Sequence, residues 1–178
     1  APARLSPALI NNQSASTMSR AISTELRDAD SFLFSVAFVT AAAVSVLKQD
    51  LLDFTGNGVI VTSNYLGFNT PQAYRELLNI PRLKVMVMPD SSGFHAKGYV
   101  FNRGHNTTAI VGSSNLTVDA LANNHEWNLR FSASNEGHLI SQLEAAIRLQ
   151  LAQATVIDDA WVDDFERTYI PVRFQRAS

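Results

Sequence analysis

The chain contains no cysteine, which removes disulfide frameworks, cysteine-ligated zinc and thiol nucleophiles. Charge is sparse as well: Asp, Glu, Lys and Arg make up 17% of the residues, and the formal net charge is -2. A strongly basic protein that coats nucleic acid is therefore excluded, whereas a local basic groove is not. Residues 1–150 hold eleven acidic and eleven basic side chains. The acidic excess gathers late, where Asp158, Asp159, Asp163, Asp164 and Glu166 face only Arg167, Arg173 and Arg176. No apolar run is long enough to span a bilayer, and the longest candidate, Ser31 to Val46, is broken by Ser35, Thr40 and Ser45. No signal peptide is visible, so a cytoplasmic location without a membrane partner is expected. Internal repeats and low-complexity tracts are missing too. No cluster of histidine and carboxylate side chains has convincing metal-ligand spacing, and no cofactor is expected.

What is present is 178 residues, 46% of them hydrophobic, enough for one domain with a substantial core. Residues 1–14 have two prolines and no period, which predicts an irregular arm; residues 15–178 read as a single domain. Ser14 or Ser16 is positioned to cap a helix through Arg27, with Met18, Ile22 and Leu26 on one face. Ser31 to Val39 is a nearly continuous apolar run that suits a strand buried on both faces. Thr40 caps a second helix with a Val44, Leu47 and Leu51 stripe. Gly58 to Thr62 reads as a strand, Thr70-Pro71 as the start of a helix to about Leu78, and Leu83 to Met88 as a strand. Three more strands are predicted over His95 to Asn102, Thr107 to Gly112 and Trp127 to Phe131, the first two joined by a hairpin loop. A long helix follows Ser134, with Ile140, Leu143, Ile147 and Leu151 on one stripe, and an amphipathic stretch runs from Asp158 to Tyr169. Helix–strand alternation followed by a hairpin predicts a layered α/β/α domain with a mixed, largely parallel sheet.

Chemistry concentrates between Phe94 and Asn128. His95 and Lys97, two apart on a predicted strand, project to the same side. Gly112-Ser113-Ser114-Asn115 closes the next strand, and the hairpin lays these two ends together. Glu126 opens the strand after that. Gly93, Gly98 and Gly112 permit close backbone approach to a ligand. An imidazole, an ammonium, a hydroxyl, a carboxamide and a carboxylate form an apt set for phosphoryl transfer. Lys97 supplies charge to a non-bridging phosphate oxygen, and Ser113 and Asn115 supply neutral donors. Glu126 can accept from one ring nitrogen of His95, leaving the other to attack phosphorus.

These residues resemble the phospholipase D, or HKD, motif: H-x-K at His95-Ala96-Lys97, G-S-x-N at Gly112 to Asn115, and a glutamate, Glu126, eleven residues after Asn115. SNYLGF near residue 65, FHAKGYVF, VGSSNLT and NHEWN are similar to the phospholipase D-like domains found beside bacterial superfamily 2 helicases. The strict resemblance covers Phe94 to Phe131, a weaker one residues 30–150. The motif aspartate would fall seven residues after the histidine; Asn102 stands there and is read as structural. The resemblance implies a metal-independent nuclease acting on nucleic acid, DNA rather than RNA, through a phosphohistidine. It also implies a homodimer in which two His95 side chains share one groove, one as nucleophile and the other as acid and then base. A helicase domain, fused or associated, is a further implied partner.

Ser114, Tyr65 and Arg103 are added as candidate phosphate or nucleic-acid contacts. Tyr65 and Phe68 are as well suited to pack between loop and core as to stack on bases. Trp127 and Phe131 are expected in the core, and His105, His125 and His138 in solvent or structural positions. Two other readings remain: a nucleic-acid-binding or dimerisation module without turnover, and a phospholipid hydrolase or transferase.

Overall fold

The computed structural model describes residues 6–64 and 67–171. Eight strands form one mixed sheet: β1 (Ala8–Ile10), β2 (Ser31–Val36), β3 (Asn57–Ser63), β4 (Leu83–Met88), β5 (Lys97–Arg103), β6 (Asn106–Gly112), β7 (Asn128–Ser134) and β8 (Thr155–Val156). Their order across the sheet is β1-β7-β6-β5-β2-β3-β4-β8. The expected mixed α/β/α architecture is present, but the sheet is not largely parallel: only β2, β3 and β4, which are joined by helical crossovers, run parallel. The remaining pairings are antiparallel. Among the described residues the α-helices are α1 (Met18–Asp28), α2 (Ala41–Asp53), α3 (Pro71–Leu78), α4 (Val118–Ala122), α5 (His138–Gln153) and α6 (Asp159–Thr168).

Local chemistry sets these boundaries. Thr17, Thr40, Thr70 and Thr117 each cap a helix by accepting from the backbone N–H three residues on. The first cap is Thr17 rather than Ser14 or Ser16: Ser14 lies in left-handed backbone at φ 53° and Ser16 donates back to Leu9 O, so both belong to the preceding turn. Within the stretch expected to be an irregular arm, Ala8–Ile10 pairs with Asn128–Arg130 as an edge strand, a three-residue ladder too short to show a period.

Alternate residues of the central strands enter two cores. Phe32, Phe34, Ile60, Val85, Tyr99, Phe101 and Ile110 join α1, α2, α3, α4 and α6 on one face. Val61, Met86, Met88 and Phe94 pack on the other, against Leu151 of α5. This second face is thinly covered, because α5 fully buries only Ile140. Beyond the helix, the cross-strand partners Leu9, Leu129 and Val111 share that face and stay 54%, 49% and 43% exposed. Trp127, expected in the core, precedes β7 and is 76% exposed, while Phe131 is half-buried.

Two tyrosines tie the cores to the chain ends of the strands. Tyr99 donates its hydroxyl to Ser114 O at 2.9 Å, and Tyr74 donates to Ser63 O at 3.3 Å. Burial pushes both phenols well above their ordinary value near 10. Once unfolded they ionise near pH 10 while the native forms keep their protons, so stability must fall as pH rises past that point. We predict that the unfolding free energy from urea titrations declines steeply between about pH 10 and 12, by up to ~1.4 kcal/mol per pH unit for each tyrosine. Tyr74→Phe and Tyr99→Phe should each make that decline shallower.

Candidate active site

The site lies where the C-terminal ends of β2 and β6 meet the N-terminal end of β5. The chain from Phe94 to Ala96 leads into β5, and Ala37 N donates to Ala96 O at 3.0 Å, which continues the β2–β5 pairing past the strand. His95 therefore sits just before the strand rather than on it. It is exposed, and Lys97 reaches it: Lys97 Nζ is 3.0 Å from His95 Nδ1 and 3.0 Å from His95 O. Lys97 Nζ is also 3.5 Å from His95 Nε2, so the ammonium sits over one edge of the ring as a donor. Partial burial pushes the Lys97 ammonium below its ordinary lysine value, against the opposing pull of the Glu126 charge.

The G-S-x-N segment turns sharply after β6. Gly112 is required by contact: a Cβ there would meet Trp127 O at 2.2 Å and Asn128 Oδ1 at 2.5 Å. Ser113 N then donates to Trp127 O at 3.1 Å. That register places Ser113 Oγ against Glu126, to whose carboxylate it donates, while Trp127 N donates back to the same hydroxyl at 3.1 Å. The expected bond from His95 to Glu126 is not made, because Glu126 is engaged by Ser113, its neighbour across the strands.

Asn115 is held from the other side. Its Oδ1 accepts from Phe38 N at 3.2 Å, and Leu116 N donates to Phe38 O at 3.0 Å. With the oxygen engaged by backbone, the amide NH2 is left as the donor. α2 starts just beyond, at Ala41, and turns the positive end of its dipole toward the same end of the sheet. His95, Lys97, Ser113, Asn115 and Glu126 thus converge from segments joined by backbone hydrogen bonds.

The other candidates fare differently. Ser114 is fully buried: its Oγ donates to Ala120 O at 3.2 Å and accepts from Asn128 Nδ2 at 2.8 Å, while its N–H donates to Asn128 Oδ1 at 3.2 Å. It anchors the turn and cannot reach a phosphate. Arg103 is at the opposite end of β5, 3.7 Å from Asp28, about 20 Å of strand from Lys97. Tyr65 lies outside the described residues. Asn102 is structural, as expected, donating to Ser31 Oγ at 3.1 Å and accepting from Thr107 Oγ1 at 2.9 Å. Sequence reasoning missed Asn128, whose signal was a polar residue at the head of a strand, and Phe38, which the apolar run concealed. Among the described residues, no group of three or more His, Asp or Glu side chains is placed to hold a metal ion. No helix among them is long and apolar enough to cross a membrane.

A family profile described as "Cardiolipin synthase, PLD-like domain" matches residues 31–148. No curated protein sequence matches the chain. The fold is similar to NucT from Helicobacter pylori, with 14% identity, TM-score 0.64, and coverage of 85% of this chain and 99% of that one. It is similar to Nuc from Salmonella typhimurium, described as a phospholipase D family member, with 16% identity, TM-score 0.65, and coverage of 86% and 99%. Yeast tyrosyl-DNA phosphodiesterase shares the fold at 14% identity and TM-score 0.55, with 84% of this chain covering 42% of that one.

Buried and accessible polar residues of the site should separate by role. Ser114→Ala should lower stability by ~1–2 kcal/mol in urea unfolding, through lost buried hydrogen bonds, and leave turnover per folded molecule within a few-fold. Lys97→Met should leave the unfolding midpoint unchanged or raised, since its ammonium is partly desolvated, yet lower turnover by about 100-fold or more.

Proposed function

The chain belongs to the phospholipase D superfamily, and we propose that it is a nuclease-type phosphodiesterase that cleaves nucleic acid, DNA in preference to RNA, without a metal ion. The observation that carries this reading is the exposed His95 imidazole with the Lys97 ammonium 3.0 Å from its ring nitrogen, backed by the Asn115 amide. A non-bridging phosphate oxygen is a stronger acceptor than an imidazole, so Lys97 turns to it and frees the ring nitrogen. That nitrogen attacks phosphorus, a P–N bond forms, and the bond to the leaving oxygen breaks. Lys97 and Asn115 balance the charge that builds on the phosphoryl oxygens. Glu126 keeps the site's field favourable to Lys97 and, through Ser113, fixes the neighbouring turn.

The leaving oxygen needs a proton and the phosphohistidine then needs an activated water. We assign both to the His95 of a second copy, which makes the functional unit a homodimer. The uncovered face of β1, β7 and β6 supports this. Leu9, Leu129 and Val111 form an exposed apolar strip next to the site, of the kind that marks a contact surface. The DNA preference draws on the shared fold of yeast tyrosyl-DNA phosphodiesterase, whose name states its substrate. Linkage to a helicase or restriction-type protein rests on the resemblance of the SNYLGF, FHAKGYVF, VGSSNLT and NHEWN segments alone.

Two experiments test the proposal. Wild type and His95→Ala are incubated with labelled single- and double-stranded DNA and RNA in EDTA. Cleavage by wild type that drops by about 1,000-fold or more in His95→Ala is expected. Binding without cleavage by either protein would point instead to a module that retains phosphate affinity without turnover. In the second experiment, sedimentation of wild type should show a dimer at assay concentrations. Leu129→Arg should shift it to monomer and lower cleavage together, whereas a fully active wild-type monomer would rule out the shared site.

A further inference from the structure

One aromatic pair at the site has no part in the chemistry above. The Phe38 ring stands edge-on to His95 at 6.1 Å between centroids and 84° between planes. Phe68 stands edge-on to Phe38 at 5.0 Å and 73°. Phe38 is half-buried, but Phe68, the outer ring, is 40% exposed. This puts an accessible aromatic face one ring removed from His95.

The outer ring is held through its neighbour. Asn69, only 1% exposed, accepts from Val39 N through Oδ1 at 2.9 Å and donates through Nδ2 to Thr62 Oγ1 at 2.9 Å and Ser63 O at 2.8 Å. Its neighbour Phe68 is thereby fixed against the β2 and β3 ends. The successive amides of Phe38 and Val39 are each taken by an asparagine side chain, Asn115 and Asn69. The outer ring and the phosphate-facing amide are therefore registered to the same two residues of backbone.

The charges around the mouth narrow the choice of ligand. Residues 36–41, 63–64, 67–71, 88–97 and 111–128 together contain one lysine, Lys97, and no arginine, against Asp90, Asp119 and Glu126. Duplex DNA is gripped chiefly through its phosphates, and these segments offer it one ammonium. Its bases are also stacked inward, out of reach of Phe68. A single strand can instead lay an unstacked base on an aromatic face, whatever the base.

Building on the phosphodiesterase reading, we infer that Phe68 is a stacking platform for the base next to the scissile phosphate, and that the substrate is single-stranded nucleic acid. Phe38 holds that platform at its distance from His95. Phe68 is a specificity-determining residue, since it touches substrate without touching the reacting atoms.

The test compares two single-stranded oligonucleotides, one with a base and one with an abasic spacer beside the cleaved phosphate, on wild type, Phe68→Ala and Phe68→Trp. Wild type is expected to prefer the base-bearing strand in kcat/KM by about tenfold or more, a preference that collapses toward one in Phe68→Ala and persists in Phe68→Trp. A preference that survives in Phe68→Ala, or is absent from wild type, overturns the inference and leaves the phosphodiesterase reading intact. Binding is read separately on His95→Ala with a 2-aminopurine strand, whose fluorescence should be quenched, and quenched less in His95→Ala/Phe68→Ala. Should wild type cleave nothing, that quenching still decides the platform, and only the phosphodiesterase reading falls. Unchanged quenching in the double variant would contradict the platform whatever the cleavage result.

Discussion

Four residues of backbone after β2, 37–40, carry the site. Ala37 donates to Ala96, Phe38 to the Asn115 side chain, and Thr40 to Leu116, while Phe38 O accepts from Leu116. The segment is thus clamped between the chain that presents His95 and the chain that presents Asn115. Neither of those two chains hydrogen-bonds the other's functional side chain directly; both are registered to residues 37–40. Because a backbone hydrogen bond tolerates only a few tenths of an ångström, the clamp sets the spacing of nucleophile and amide donor before any substrate arrives.

The polar groups near the site divide by burial, and burial decides what each can do. Ser114, Asn128 and Asn69 are buried with their hydrogen bonds satisfied inside the protein, so they hold shape. His95 is exposed, and Lys97 and Asn115 are half-buried, so they can meet a phosphate. The same division separates two adjacent serines. Ser113 faces Glu126 at the surface, and Ser114 faces Asn128 in the interior, as the alternation of an extended chain requires.

Much of this was legible in the chain itself. Helix starts were visible where threonine precedes an apolar stripe, as at Thr40 and Thr70, because a cap is a local interaction. Central strands were visible because burial on both faces leaves an apolar run, as in Leu83–Met88. The grouping of His95, Lys97, Asn115 and Glu126 followed from the spacing of the motif. What local pattern could not show was pairing at a distance. β1 exists only because Leu9 finds Leu129, and Glu126 meets Ser113 rather than His95 because of the β6–β7 register. Trp127 has the composition of a core residue, and only its place ahead of β7 leaves it in solvent. Ser114 reads as a motif hydroxyl in sequence and is revealed as an anchor by its burial.

The account stands on His95 forming a bond to phosphorus. Mixing wild-type protein with a phosphate-labelled oligonucleotide in EDTA, quenching within the first turnovers under alkaline conditions, and mapping the label by mass spectrometry tests this directly. A phosphoryl adduct on the peptide carrying His95, absent when His95 is replaced by alanine, is the predicted result. Cleavage that proceeds with no adduct at any quench time, and that stops when divalent ions are chelated, would contradict it.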